Sequence, residues 1–411
     1  DIKNIFSMAY DYVFVDEFQD TTDEQYALLK LLFCRTSTNV IVVGDINQSI
    51  MLWAGARSSV FTDFLNDFKA TKKLLLKNHR ASKEIQDVLN VVLEFVEGKA
   101  KPVTVLQNHS GNCSVHLFED ELQEARFIVN EIKSSLQSGV KESDICVLTK
   151  QKSSDYTKII RGELTKAGIN NLEMSELQDA LKEPLGRLFT LFLNAIVYPK
   201  PQVITELYDI HRNLIQVELG DEREAESTIL IANFICLKQN AIQSTTTIDD
   251  LITYTHEFIH FLGLKNIKGR WKQYKSQAFY SKIWQILELH LRDMYAQAGS
   301  INGAIKLFSA ENSVHIMNIH KCKGLEFQHV YFIGLEDQAF WNFQKEPFEN
   351  NCAIYVALSR AKEKIYVTYT NVREHRVTKW HDNRRSTHKS VKPVFDLLVS
   401  NCRFKPVNHT T

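Results

Sequence analysis

The feature that most constrains this fold is a repeated one. Short apolar runs each end in a polar turn and lead into an amphipathic stretch. The first is "YDYVFVDEFQD", Tyr10 to Asp20. Its apolar core, Tyr12 to Val15, predicts a strand buried on both faces. Asp16 and Glu17 follow at the carboxyl end, where open parallel α/β sheets bind ligands. One carboxylate there suits Mg²⁺, which takes few protein ligands, and the other suits the orientation of an attacking water. A charged loop with Asp20 as N-cap of "TTDEQYALLKLLF" accounts for the same residues. The second run, Val40 to Val43 in "NVIVVGDINQSI", predicts another buried strand and ends in the Gly44-Asp45 turn. Gln48 beyond it suits a bound phosphate or plain solvent. Trp53 in "SIMLWAGA" suits a base-stacking platform or a core position. "LLLKNHRAS" is a third run, and Arg80 at its end suits an anion or a salt bridge.

"CSVHLFED" then reads as a strand, "ELQEARFIVNEIKSSLQSG" as a helix, "SDICVLTK" as a strand and "SSDYTKIIRGELTKAG" as a helix stopped by Gly168. That alternation predicts an α/β fold with a parallel sheet flanked by helices. From about Glu173 to Ala310 helical patterns dominate, which predicts a helical insertion. Inside it, Leu264 to Gln285 interleaves Lys268, Arg270 and Lys272 with Trp271, Tyr274, Tyr280 and Trp284. This is either a surface for nucleic-acid backbone and bases or an amphipathic helix with its aromatics inward. The sheet pattern resumes in "HIMNIHKCKGLEFQHVYFIGLED". "CAIYVALSRAKEKIYVTYT" predicts a helix bearing Arg360 and Lys362, then a strand from Ile365 to Tyr369. A basic stretch, Arg373 to Lys392, follows.

The chain has 411 residues, more than one domain's worth. Lys+Arg and Asp+Glu are equal at 49 each, so no global charge advertises a polyanion partner. Seven scattered cysteines with no CxxC pair exclude a zinc motif and a disulfide framework. No apolar run reaches membrane-spanning length, and a reducing, cytoplasmic setting is expected. The chain opens on Asp1 and is almost at once inside a strand. The expectation is a longer protein, or a second polypeptide that completes the sheet.

Taken in order, the motifs resemble those of the superfamily 1 UvrD/Rep-type DNA helicases. "VFVDEFQD" resembles the Walker B motif, "VVGDINQSIMLWAGA" the third motif, "LLLKNHRAS" the fourth, "IHKCKGLEF" the fifth and "YVALSRAKEK" the sixth. The resemblance implies RecA-like sheets. It assigns 1–72 to the later part of a first RecA-like domain, 73–172 and 311–411 to two segments of a second, and 173–310 to a helical inserted subdomain. It implies ATP and Mg²⁺ as cofactors, with Asp16 holding the metal, Glu17 as base, Gln48 as phosphate sensor, and Arg80 and Arg360 stabilising the transferring phosphate. Glu326 is similar to the family residue near ribose and γ-phosphate, Trp53 to its base-stacking aromatic. His320 and Lys321 fall where the fifth motif meets DNA. The implied activity is 3′–5′ translocation on single-stranded DNA and at single-strand/duplex junctions. A nuclease or repair factor is the implied kind of protein partner, and no membrane is involved. The alternative is a non-catalytic, nucleotide-sensing subunit of a larger assembly, for example a phage-defence complex with a nuclease. The sequence departs from the family at His79, for Tyr or Phe, and at Ala54, for Arg. It contains no GK[ST] loop: Gly98-Lys99 is followed by Ala100. Residues 1–411 alone are therefore not expected to turn over ATP.

Overall fold

The computed structural model describes residues 5–6, 9–98, 100–105, 110–218, 220–243, 246–308, 313–373 and 386–406. The chain forms two compact units: Asp1–Glu163 with Ile316–Thr411, and Leu164–His315.

In the first unit, β1 (Tyr12–Val15) pairs in parallel with β2 (Asn39–Val42) through α1 (Asp23–Phe33), in register Tyr12↔Asn39 to Val15↔Val42. Thr22, not Asp20, caps α1. Its hydroxyl accepts from Gln25 N at 3.3 Å, and Gln25 Oε1 accepts from Thr22 N at 3.0 Å. Together α1 and α2 (Val60–Asp67) bury Phe18, Tyr26, Val60 and Phe64 against Val15, Val40 and Val42. The opposite face is open, with Tyr12 60% and Phe14 70% exposed. The expectation of strands buried on both faces is thus corrected. Side chains alternate across a strand, and among the described residues only one face of this pair is covered.

The third apolar run forms only a two-residue ladder, β3 (Lys77–Asn78) with β4 (Thr104–Val105), and Leu75 is exposed. Between them lies α3 (Lys83–Glu97). The Ser82 hydroxyl accepts from Ile85 N at its start, and Gly98 ends it at φ 72°, where a left-handed residue suits glycine. A larger sheet follows: β5 (Asn112–Asp120), α4 (Glu121–Gln137), β6 (Ile145–Thr149), β7 (Val314–Asn318), β8 (Phe327–Ile333), α5 (Pro347–Ser359), β9 (Ala361–Val372), α6 (Lys392–Asn401) and β10 (Arg403–Pro406). Among these strands the order is β10-β5-β9-β8-β6-β7, six of the seven in the sheet, and the pairings from β10 to β6 are parallel. β6 is buried along its whole length, as a strand covered on both faces must be.

Three expectations are corrected here. The helix over Ser153–Gly168 is two pieces, Ser153–Tyr156 and Lys158–Lys166. α5 stops at Ser359, so Arg360 is its C-cap and Lys362 belongs to β9. Arg373 is no exposed backbone contact. It is 2% exposed and bound to Glu124 at 3.0 Å and Glu336 at 3.1 Å, inside the unit. The rest of that basic stretch lies largely outside the described residues, at 374–385.

The second unit is mainly helical. Its basic-aromatic stretch is amphipathic: Tyr274, Tyr280 and Trp284 are buried, while Arg270, Lys272 and Lys275 are exposed. The Tyr274 hydroxyl accepts from Leu185 N at 2.9 Å, an internal role that leaves no ring face for a base. No helix among the described residues is long and apolar enough to cross a membrane.

Acid should expose a weakness of the first unit. His116 lies on β5 among Phe118, Phe127 and Tyr366, and neither ring nitrogen has a hydrogen-bond partner. Burial lowers its pKa from 6.5 to about 4, with Lys405 adding to the effect. The unfolded chain therefore binds this proton first. The stability tied to the neutral ring is present above pH 6.5 and is lost as pH falls towards 4. His116→Phe is expected to raise the melting temperature at pH 5 more than at pH 8, by on the order of 2–4 °C. Equal shifts at both pH values, read by circular dichroism, would refute this.

Candidate functional site

The turns after β1 and β2 are tied together by one buried amide. Glu17 has φ 49°, a left-handed conformation unusual for a residue other than glycine. It turns the chain into the short Phe18–Asp20 helix. Gln19, 2% exposed, donates from Nε2 to the Glu17 carboxylate at 2.5 Å and accepts Asp45 N at 3.0 Å. Gly44 is needed at this crossing, since a Cβ there would lie 2.3 Å from Gln19 Oε1 and 3.0 Å from Phe18 N. Asp45 then organises the next turn. Its carboxylate accepts Asn47 N and Gln48 Nε2, both at 3.0 Å.

The fifth- and sixth-motif residues meet these turns. Arg360 is 2% exposed. It donates to Gln48 Oε1 at 2.9 Å, to the Ser359 hydroxyl at 2.9 Å, and to the carbonyls of Val356 at 3.2 Å and Leu325 at 3.3 Å. No carboxylate pairs with it among the described residues, and burial depresses its pKa. Arg80 donates to Glu326 at 2.6 Å and to the Ser359 carbonyl at 3.0 Å. Lys362 also pairs with Glu326 at 2.6 Å. Lys362 first, then Arg80, hold the Glu326 carboxyl below its usual range. An open cleft is lined by Asp16, Glu17, Gln48, Arg80, Glu326 and Tyr355.

Sequence reasoning missed one residue. Lys323, the second lysine of "HKCKG", pairs with Asp20, lies 3.6 Å from Glu17 and donates to the Gln48 carbonyl at 3.3 Å. Its partners are about three hundred residues away in sequence, so only folding joins them.

The carboxylates fit Mg²⁺ by their chemistry. Among the described residues no three metal-ligating side chains cluster. Mg²⁺ needs only one or two carboxylates when phosphates and water complete its shell. Asp16 is exposed, and among the described residues its carboxylate engages only the neighbouring Glu17 N, at 2.8 Å.

Trp53 lies on a different surface. It is 67% exposed on the Leu52–Ala54 turn and meets His320 edge to face at 5.9 Å. Burial, then Lys150 and Lys321, lowers the His320 pKa to about 4, so the ring is neutral at physiological pH. Lys321 follows directly, with its N–H directed to Asn318 Oδ1 at 3.2 Å. His79 and Ala54, the two departures, are both exposed.

Comparison with known proteins places the chain in a family. Residues 1–69 match the UvrD/REP helicase N-terminal domain. Residues 74–178 and 199–372 match the UvrD-like helicase C-terminal domain. DNA helicase II of Haemophilus influenzae is 26% identical over 415 residues, covering 90% of this chain and 56% of that protein. DNA helicase II of Escherichia coli is 25% identical over 409 residues, covering 88% and 56%. The ATP-dependent DNA helicase PcrA of Staphylococcus epidermidis is 24% identical over 414 residues, covering 89% and 55%. The chain thus spans little more than half the length of these relatives. With both domain models matched in order across most of its length, the chain belongs to the UvrD/Rep-type DNA helicase family.

Proposed function

We propose that these residues form the Walker B to sixth-motif part of an ATP-dependent motor that moves 3′ to 5′ along single-stranded DNA. The observation that carries the reading is the bond from Arg360 to Gln48. It joins a buried guanidinium at the end of α5, with no carboxylate at ion-pair distance among the described residues, to the turn after β2. A buried cation without a carboxylate is costly to keep. A polyphosphate in the adjoining cleft would repay that cost. A decayed, non-catalytic site has no reason to retain such a group.

In this reading Asp16 holds Mg²⁺, which supplies charge neutralisation on the phosphates when bound. Glu17 orients water and accepts its proton. Gln48 reports the γ-phosphate to Arg360, and Arg80 and Arg360 stabilise charge on the transferring group. Glu326, clamped by Arg80 and Lys362, keeps Arg80 at the cleft edge. Trp53 offers its exposed ring to a base, with His320 set across it at 84° and Lys321 next to His320 in the chain. Nucleotide occupancy would shift the population of closed clefts, and the strand would advance past Trp53.

In the protein at its natural length, Glu17→Gln is expected to cut ATP turnover by about 10²–10⁴-fold while sparing ATP binding. Wild-type steady-state hydrolysis would remove Glu17 from the role of base.

Arg360→Ala is expected to lower kcat by about 10³-fold with a much smaller change in ATP affinity. Equal losses in kcat/KM and in affinity would mark a uniform binding contact instead.

Trp53→Ala is expected to weaken single-strand binding by about 1–3 kcal/mol with little dependence on base sequence. The melting temperature should hardly move, because the ring is mostly exposed. A large drop in melting temperature with unchanged binding would assign Trp53 to packing.

A further inference from the structure

A second exposed tryptophan lies at the edge of the larger sheet. β6 and β8 run in parallel and end together, with Thr149 beside Ile333. β7 leaves at the same edge, since Ile319 N donates to the Thr149 carbonyl at 2.9 Å. The carboxyl ends of parallel strands are where open α/β sheets bind ligands. The loops that start here carry Lys150 after β6, His320 after β7 and Trp341 after β8. His320 is the residue that meets the Trp53 ring at 5.9 Å.

Trp341 is 67% exposed, as much as Trp53, while the chain on each side of it is pinned. Phe340 is fully buried and lies edge-on to Phe332 of β8 and to Phe343, at 6.3 Å from each. Gln151 Nε2 donates to the carbonyls of Gln338 at 3.4 Å and Ala339 at 3.1 Å. Phe343 N donates to the Phe340 carbonyl at 2.9 Å, which closes a turn around Trp341. An indole ordinarily buries most of its surface. This one is held in water by a turn whose other aromatics are inside. The charge beside it is positive. Lys150 sets its ammonium over the Phe340 ring at 5.8 Å, and no carboxylate lies at ion-pair distance from it among the described residues. A fixed aromatic ring next to an unpaired cation suits single-stranded nucleic acid, base on ring and phosphate on ammonium.

Resting on the single-strand reading above, we propose that Trp341 and Lys150 form a second contact for the strand at this edge, Trp341 stacking a base and Lys150 meeting a phosphate. The strand would then be held at two separate rings, Trp53 and Trp341, with His320 and Lys150 between them.

The test uses the full chain and a fluorescein-labelled dT20 strand, followed by anisotropy, with a thermal melt of each variant. Trp341→Ala is expected to weaken binding about tenfold with the melting temperature unchanged, and Trp341→Phe to bind within about threefold of the parent. The losses from Trp53→Ala and Trp341→Ala should multiply in the double variant, because the two rings take different bases. On an abasic strand of the same length, Trp341→Ala should bind like the parent. Lys150→Gln should lower the slope of log K against log salt by about 0.7. Parent-like binding of dT20 by Trp341→Ala, beside a weakened Trp53→Ala, would overturn the proposal while the single-strand reading stands; the ring would then serve a protein partner or none. An equal loss on the abasic strand would overturn stacking, and an unchanged salt slope would overturn the assignment of Lys150. If Trp341→Ala melts before it can be titrated, Trp341→Leu, which keeps apolar bulk without a π-face, takes its place, and parent-like binding again overturns the proposal. If Trp53→Ala and Trp341→Ala both bind like the parent, the single-strand reading itself fails, and this proposal fails with it.

Discussion

The site depends on a cation buried without an anion. Arg360 is held by two backbone carbonyls, a hydroxyl and the Gln48 amide. None of these neutralises it. The surrounding fold can hold it because α5 supplies the Val356 carbonyl and the Ser359 hydroxyl, and the loop leading into β8 supplies the Leu325 carbonyl. α5 ends at Ser359, and Arg360 makes these bonds from its C-cap position.

Around that charge the polar groups are arranged in layers of opposite sign. Glu17, Asp20 and Asp45 line the turns after β1 and β2, and Lys323 bridges the first two. Arg80 and Lys362 pin Glu326 on the other side. Lys323 and Glu326 lie three residues apart, on the loop leading into β8. One loop thus delivers a cation to the carboxylate turn and a carboxylate to the arginine side.

Much of this was legible in the sequence. Periodicity located α4, and the apolar runs located β1, β2, β5 and β6. The motif order named Asp16, Glu17, Gln48, Arg80, Trp53, His320, Glu326 and Arg360 as candidates, and the fold sets Gln48 beside Arg360 and Arg80 beside Glu326. Other features were not legible. The covering of β1 is set by neighbours, and an apolar run does not say how many faces are packed. The aromatics of Leu264–Gln285 and Arg373 have the composition of a nucleic-acid surface. Their burial depends on partners such as Leu185, Glu124 and Glu336, far away in the chain.

By itself the sequence determined the residue types, their order and the local turns: the carboxylates after a strand, the glycine at position 44, the serine before α3. These follow from propensity and from local hydrogen bonding, which act over a few residues. Only the tertiary structure decided which charges meet. Lys323 against Asp20, Arg360 against Gln48 and Arg80 against Glu326 each join residues hundreds of positions apart. Such pairings are fixed by how the sheets and α5 pack, because electrostatic contacts are made in space and leave no periodic trace along the chain.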